Sequence, residues 1–305
     1  MNILEMENLS KSFGEHHIIK NLSFAVPENT IYGFLGQNGA GKTTTMKMVL
    51  GLLKPTSGRI SVCGEEVTYG ETKTNRHIGF LPDVPEFYGY MKPMEYLSLC
   101  GEVAGIDRKK VKLKSEELLS LVGLDRADKR ISGFSRGMKQ RLGIAQALLA
   151  EPKLLICDEP TSALDPVGRK EILDILLSVK GKTTVVFSTH ILSDVERICD
   201  HAAILHKGSL VINGTLSRLK QSYPHDTLQI EFCSVDDLKR FTSDDSNRVL
   251  FSNAECKECT VTLKSNGIDK AVEQVYHAVS ATKIYPAKIE ILEPTLEHLF
   301  MEVVK

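Results

Sequence analysis

One stretch constrains this chain more than any other: Gly36-Gln37-Asn38-Gly39-Ala40-Gly41-Lys42-Thr43-Thr44, set between two runs of opposite character. Ile31–Leu35 ahead of it reads as a strand. Lys42–Leu50 reads as a helix, stopped by Gly51 and then Pro55. A strand, a glycine-rich turn and a helix opening on Lys-Thr form the pattern of a phosphate-binding loop. The glycines let the backbone turn tightly, so that successive N–H groups point at one anion. The helix start adds its positive end. On this reading Gly36 to Thr44 cradle phosphate, Lys42 reaches the β- and γ-phosphates, and the Thr43 hydroxyl serves Mg2+.

A second run points to the same chemistry. Leu154-Leu155-Ile156-Cys157 is apolar and ends in Asp158-Glu159. Ligands of open α/β sheets gather at the carboxyl ends of strands. Asp158 is expected to hold Mg2+ through water, because hard cations take oxygen ligands. Glu159 is then placed to polarise an attacking water.

Lys153–Cys157 and Thr183–Phe187 are apolar or β-branched throughout, as strands buried on both faces are. Leu142–Ala150 and Ile172–Leu177 read as helices, so strand and helix alternate and a parallel α/β core is expected. Pro93–Leu121 reads as helical with a break near Gly105, a helical subdomain set between core strands. Beyond it, Leu228–Phe232, Val249–Phe251, Thr260–Leu263 and Ile289–Leu292 read as strands. Ile268–Ala278 and Thr295–Val304 read as helices.

Charge divides the chain along the same line. Residues 1–220 carry 29 basic and 25 acidic side chains; residues 221–305 carry 9 and 14. The change falls at the turn-prone Gln221-Ser222-Tyr223-Pro224. Two domains are expected, 1–220 and a small α+β domain over 221–305. With 38 basic against 39 acidic residues overall, no nucleic-acid partner is expected. The opening MNILEMENLS lacks the basic and apolar stretches of a secretory signal. No window approaches 18 uncharged apolar residues. The seven cysteines are therefore expected as free thiols in a reducing cytoplasm. Cys256-Lys257-Glu258-Cys259 has no second pair at zinc-site spacing, and Arg108–Lys114, five basic residues in seven, reads as a solvated helix start.

Further motifs, in order, carry a family resemblance. Ser135-Arg136-Gly137-Met138-Lys139-Gln140-Arg141 resembles the signature sequence of ABC-type ATPases. Thr161-Ser162-Ala163-Leu164-Asp165 resembles their D-loop, and His190, after Phe187-Ser188-Thr189, their switch histidine. Phe13 matches the aromatic residue that stacks on adenine. The resemblance covers residues 1–220 and implies a P-loop NTPase core with an inserted helical subdomain over about 85–150. It implies ATP and Mg2+ as ligands, Glu159 as general base and His190 at the γ-phosphate. It also implies head-to-tail pairing with a second cassette, so that Ser135 and Gly137 complete the partner's site. Two positions depart from the family pattern. Arg136 stands where glycine is common, and its side chain must point away from the phosphate. Asp83, in Ile78-Gly79-Phe80-Leu81-Pro82-Asp83, stands where the Q-loop usually has glutamine; as a carboxylate it is a candidate for Mg2+ or water.

Glu293-Pro294-Thr295-Leu296-Glu297-His298-Leu299-Phe300 looks like the C-terminal segment of ATPase subunits from bacterial drug and peptide-antibiotic exporters. With Phe134–Gly143, the chain looks most like the ATPases of bacitracin- or lantibiotic-export systems. The function this implies is ATP hydrolysis that drives a separate transmembrane permease subunit, peripheral on the inner face of the cell membrane. The alternatives are a soluble ABC-type ATPase of DNA repair or translation, and a non-hydrolysing regulatory cassette.

Overall fold

The computed structural model describes every residue except 222–225, 245, 246, 249, 253, 266, 294 and 305, and every other side chain save 298 and 302–304. The described chain separates into two compact units, Met1–Ser217 with Val303 and Val304, and Arg218–Glu302. Three of the four residues Gln221-Ser222-Tyr223-Pro224, where the charge changes, lie outside the described residues.

The first unit opens with an antiparallel hairpin, β1 (Asn2–Phe13) and β2 (His16–Pro27), followed by β3 (Ile31–Gly36) and α1 (Lys42–Val49). β4 (Ser57–Val62) and β5 (Glu65–Glu66) complete a four-stranded sheet in the order β2-β1-β4-β5. This sheet is absent from the sequence reading, and its local conformation explains why. Asn8 and Asn21 adopt left-handed φ of 51° and 50°, and the β1–β2 register slips at several points. The inward residues Ile3, Leu4, Met6 and Leu9 therefore do not alternate with period two, although all are buried.

β6 (Ile78–Leu81) leads into α2 (Pro93–Val103), α3 (Arg108–Leu121) and α4 (Arg136–Leu148), with no strand among the described residues until β7 (Leu154–Asp158). There follow α5 (Pro166–Ser178), β8 (Thr184–Thr189), α6 (Leu192–Ile198), β9 (His201–His206), β10 (Ser209–Thr215) and α7 (Leu216–Gln221). The main sheet runs β10-β9-β3-β8-β7-β6, parallel but for the edge strand β10. β3, β7 and β8 are buried along their whole length, as strands covered on both faces must be. Met46, Met48 and Val49 of α1 pack with Leu4, Leu22 and Ile60 of one sheet and Phe34, Ile156 and Leu205 of the other, so one core fixes the helix. At the opposite edge α4 lies hard on β6: a Cβ on Gly79 would sit 2.1 Å from Ala147 O.

The second unit holds β11 (Thr227–Glu231), α8 (Val235–Ser243), β12 (Glu255–Lys257), β13 (Thr260–Lys264), α9 (Ile268–Thr282), β14 (Lys288–Leu292) and all but the last two residues of α10 (Leu296–Val304). Its antiparallel sheet runs β12-β13-β11-β14, the split βαββαβ arrangement. Alternate residues Leu228, Ile230, Val261 and Leu263 turn to one face and pack with Phe241, Val275 and Ala278 of the helices. The strand expected at Val249–Phe251 does not form. Val249 lies outside the described residues, while Leu250 and Phe251 are in a turn. Local bonds use the backbone there: Phe251 N–H donates to Asn247 O, and the buried Asn247 side chain donates to Phe241 O at 2.9 Å.

Candidate nucleotide site

Three neighbouring strands, β3, β8 and β7, bring their carboxyl ends together. The register sets Asp158 beside Ser188 and Leu35 beside Thr189. The glycine-rich loop leaves β3 at this edge, and α1 starts directly from it. Gly41 is the N-cap of α1 at φ 109°, with no side-chain cap. A Cβ there would lie 2.4 Å from Ile19 Cδ1, so glycine is required by both conformation and space. Thr45 N–H donates to Gly41 O, the first bond of the helix. The amides of Lys42, Thr43 and Thr44 before it have no carbonyl one turn back, which makes the helix start a ready anion site.

The charged side chains here form one connected cluster. Lys42, 6% exposed, donates from Nζ to Gly36 O at 2.7 Å and to Gln37 O at 3.3 Å. The same Nζ lies 3.1 Å from Glu159 Oε1 in an ion pair that lacks hydrogen-bond geometry. Thr43 Oγ1 donates to Asp158 Oδ2 at 2.7 Å. Ser188 Oγ donates to Asp158 Oδ1 at 2.5 Å and accepts from Glu159 N–H at 3.1 Å. His190 Nδ1 is 2.9 Å from Glu159 Oε2. Glu159 adopts φ 48°, a left-handed conformation that costs about 1–3 kcal/mol and persists where surroundings over-determine it.

Ser188 has no role in the sequence reading, yet it fastens both carboxylate residues. The sequence carries no signal for it, because Thr184 and Thr189 are polar residues of the same fully buried β8. Buried hydroxyls need partners, and the partner here is the acid on the next strand.

Asp83 is held elsewhere. Its Oδ1 lies 3.3 Å from Arg136 Nη2, and its carbonyl accepts from the buried Gln140 Nε2 at 2.7 Å. Arg136 therefore turns to the loop after β6. Partial burial raises the Asp83 carboxyl above the ordinary aspartate value; Arg136 opposes this, Asp158 and Glu159 add to it, and His190 opposes it. Ser135 caps α4, its Oγ accepting from Met138 N–H at 3.2 Å. Gly137 lies in the first turn of the same helix. Phe13 is half-exposed at the end of β1, with Lys11 Nζ 4.6 Å from its ring centroid. Among the described residues, Phe13, Asp83, Ser135 and Gly137 make no hydrogen bond or ion pair with the Lys42–Thr43–Asp158–Glu159–His190 cluster.

Chemically, the cluster joins an anion-binding helix start, one buried cation, a hydroxyl–carboxylate pair and a carboxylate backed by a histidine. Thr43 and Asp158 offer hard oxygen donors 2.7 Å apart, a set that fits a divalent cation. Glu159 Oε1 is buried without a hydrogen bond, so this corner has acceptor capacity to spare.

The comparisons agree with this chemistry. Residues 19–162 match the model of the ABC transporter family. An uncharacterized ABC transporter ATP-binding protein of Bacillus subtilis, YxlF, is 49% identical over 72% of this chain and 73% of its own length. The bacitracin transport ATP-binding protein BcrA of Bacillus licheniformis is 43% identical over 72% of each. The linearmycin resistance ATP-binding protein LnrL of Bacillus subtilis is 31% identical over 99% of this chain and 98% of its own. A solved ATP-binding cassette of an ABC transporter, in its ADP conformation, superimposes with a TM-score of 0.66 at 25% identity, covering 72% of this chain and 92% of that one. The parallel sheet with its loop-and-helix corner is thus a P-loop NTPase core, and the chain belongs to the ABC transporter family as one of its ATP-binding, ATP-hydrolysing subunits.

Proposed function

We propose that this ATPase drives export of a drug or peptide antibiotic through a separate transmembrane permease subunit, working as a head-to-tail pair of cassettes at the inner face of the cell membrane. The observation that carries the hydrolytic part is the facing of Lys42 and Glu159 at 3.1 Å beside the Thr43–Asp158 pair. The names of BcrA and LnrL support the cargo class. Among the described residues no helix is long and apolar enough to cross a membrane. The reading places the transport path in the permease. It assigns residues 1–220 to the ATP-binding cassette, with a helical subdomain at about 85–150, and 221–305 to an accessory domain.

In this reading Gly36, Gln37, Asn38, Gly39, Ala40, Gly41, Lys42, Thr43 and Thr44 bind the triphosphate, and Phe13 stacks on adenine. Thr43 and Asp158 hold Mg2+, with Asp83 as a further carboxylate toward metal or water. Bound Mg2+ neutralises charge on the phosphates. Lys42 exchanges its loop carbonyls and Glu159 for phosphate oxygens, which leaves the Glu159 carboxylate free to accept a proton from water. His190, through Nδ1, orients that carboxylate. Ser135 and Gly137 present the start of α4 to the nucleotide of a second cassette.

Hydrolysis is expected to vanish when EDTA removes divalent cation and to return with added Mg2+, as phosphate release will show. Turnover that survives EDTA would overturn the metal assignment. Ser135→Arg tests the pairing. The substitution removes the cap of α4, worth about 0.5–2 kcal/mol, and puts a bulky cation on the surface offered to the partner. ATP binding by one cassette should stay near the parent level, while the ATP-dependent dimer should disappear from sizing chromatography. Dimerisation at the parent level would argue against head-to-tail assembly.

A further inference from the structure

The loop after Glu159 holds a second strained residue, Ala163 at φ 52°, beside Glu159 at φ 48°. Neither is glycine, so this conformation must be imposed from outside. One buried carboxylate reaches both ends of the loop. Asp194, 2% exposed, accepts from the fully buried Thr161 Oγ1 at 2.7 Å through Oδ2. Through Oδ1 it accepts from Arg169 Nη2 at 2.6 Å. Thr161 lies two residues after Glu159, and Arg169 lies in the first turns of α5, where the loop ends. Asp194 itself stands four residues after His190, near the start of α6, and its N–H donates to Ile191 O at 3.3 Å.

These contacts close a ring. Glu159 touches His190 directly, and the chain beyond each returns to meet at Thr161–Asp194. We infer that Asp194, acting through Thr161 and Arg169, is a positioning residue for hydrolysis that holds Glu159 and His190 in register. A buried charge is retained where it is paired and hydrogen-bonded. Asp194 has Arg169 on one oxygen and the Thr161 hydroxyl on the other, so it can brace two segments at once. The nucleotide loop meets the ring only where Lys42 Nζ lies 3.1 Å from Glu159 Oε1. Losing the brace therefore disturbs the chemical step and leaves ATP binding alone, because misplacing a catalytic group by a fraction of an ångström lowers rate without weakening the phosphate cradle.

The inference rests on the roles given above to Glu159 and His190, and the test keeps the two separable. Thr161→Val is nearly isosteric and removes the donor; Thr161→Ser restores it. Steady-state Mg-ATP hydrolysis by the full chain, binding of a trinitrophenyl-ATP probe and thermal unfolding are measured on each. Thr161→Val should lose about tenfold in kcat, with KM and probe affinity within about twofold of the parent. Thr161→Ser should recover most of the rate. Should the valine variant fail to fold, the more exposed Arg169→Gln replaces it, with a loss of a few-fold in kcat and the same unchanged affinity. Parent-level kcat in the donor-less variant overturns the inference, as does a loss shared in proportion by probe affinity or shared equally by the serine variant. Glu159→Gln, run alongside, tests the underlying reading: if that variant still turns over ATP, the base assignment fails whatever Thr161 does.

Discussion

Glu159→Gln is expected to slow ATP hydrolysis by about 10²–10⁴, the usual cost of losing a general base. Glutamine keeps the size of the side chain and an oxygen that can still meet His190 Nδ1, now 2.9 Å from Oε2. It removes the basicity and the negative charge. Lys42 then loses the carboxylate 3.1 Å away that balances it and is freer to take phosphate oxygens. Mg-ATP should therefore bind at least as tightly as in the parent. Because unhydrolysed ATP stays between the phosphate loop of one cassette and the Ser135–Gly137 helix start of the other in the proposed pair, the variant should collect as an ATP-bound dimer in sizing chromatography. Hydrolysis within a few-fold of the parent would remove Glu159 from the role of base. Asp83, whose carboxyl is already raised by partial burial, would be the next acid to test.

Lys42→Ala should be severe in a different way. Lys42 is the cation of the phosphate loop and is almost wholly buried. In so dry a corner each charge interaction is worth more than in water, and removing a preorganised electrostatic group at a reacting centre costs about 10²–10³ in rate. Nucleotide affinity should fall as well, because Lys42 faces both the bound ground state and the transition state. The split separates the two variants: Glu159→Gln keeps affinity and loses turnover, whereas Lys42→Ala loses both. Titration with trinitrophenyl-ATP beside a phosphate-release assay reads this directly. Ordinary turnover in Lys42→Ala would dismiss Gly36–Thr44 as the phosphate cradle.

Much of this site could be read before any coordinates, because its logic is local. Gly41 must be glycine for reasons confined to its own turn and to the hairpin residue above it. Strand β3, the loop and α1 are continuous in sequence, so their chemistry is continuous too. Asp158 and Glu159 announced themselves by ending an apolar strand. The helices between β6 and β7 were likewise legible from apolar residues at helical spacing.

Other features depended on partners far apart in the chain. The hairpin of β1 and β2 hid because left-handed Asn8 and Asn21 break the alternation on which strand reading rests. The turn at Leu250–Phe251 replaced an expected strand because Phe251 N–H bonds back to Asn247 O, while the buried Asn247 side chain ties that segment to Phe241 O, bonds that pattern cannot see. Arg136 was expected to point away from the phosphate; that it turns to Asp83 depends on α4 being pressed against the loop after β6. Ser188 and Asp194 are unremarkable letters in sequence. The first acquires its role because β8 lies between β3 and β7, the second because α6 folds back over the loop that follows Glu159. Residue type and spacing specified which groups could bind phosphate. Strand order and helix packing decided which oxygens meet across 30 or more residues, because a hydrogen bond acts over about 3 Å whatever the distance along the chain.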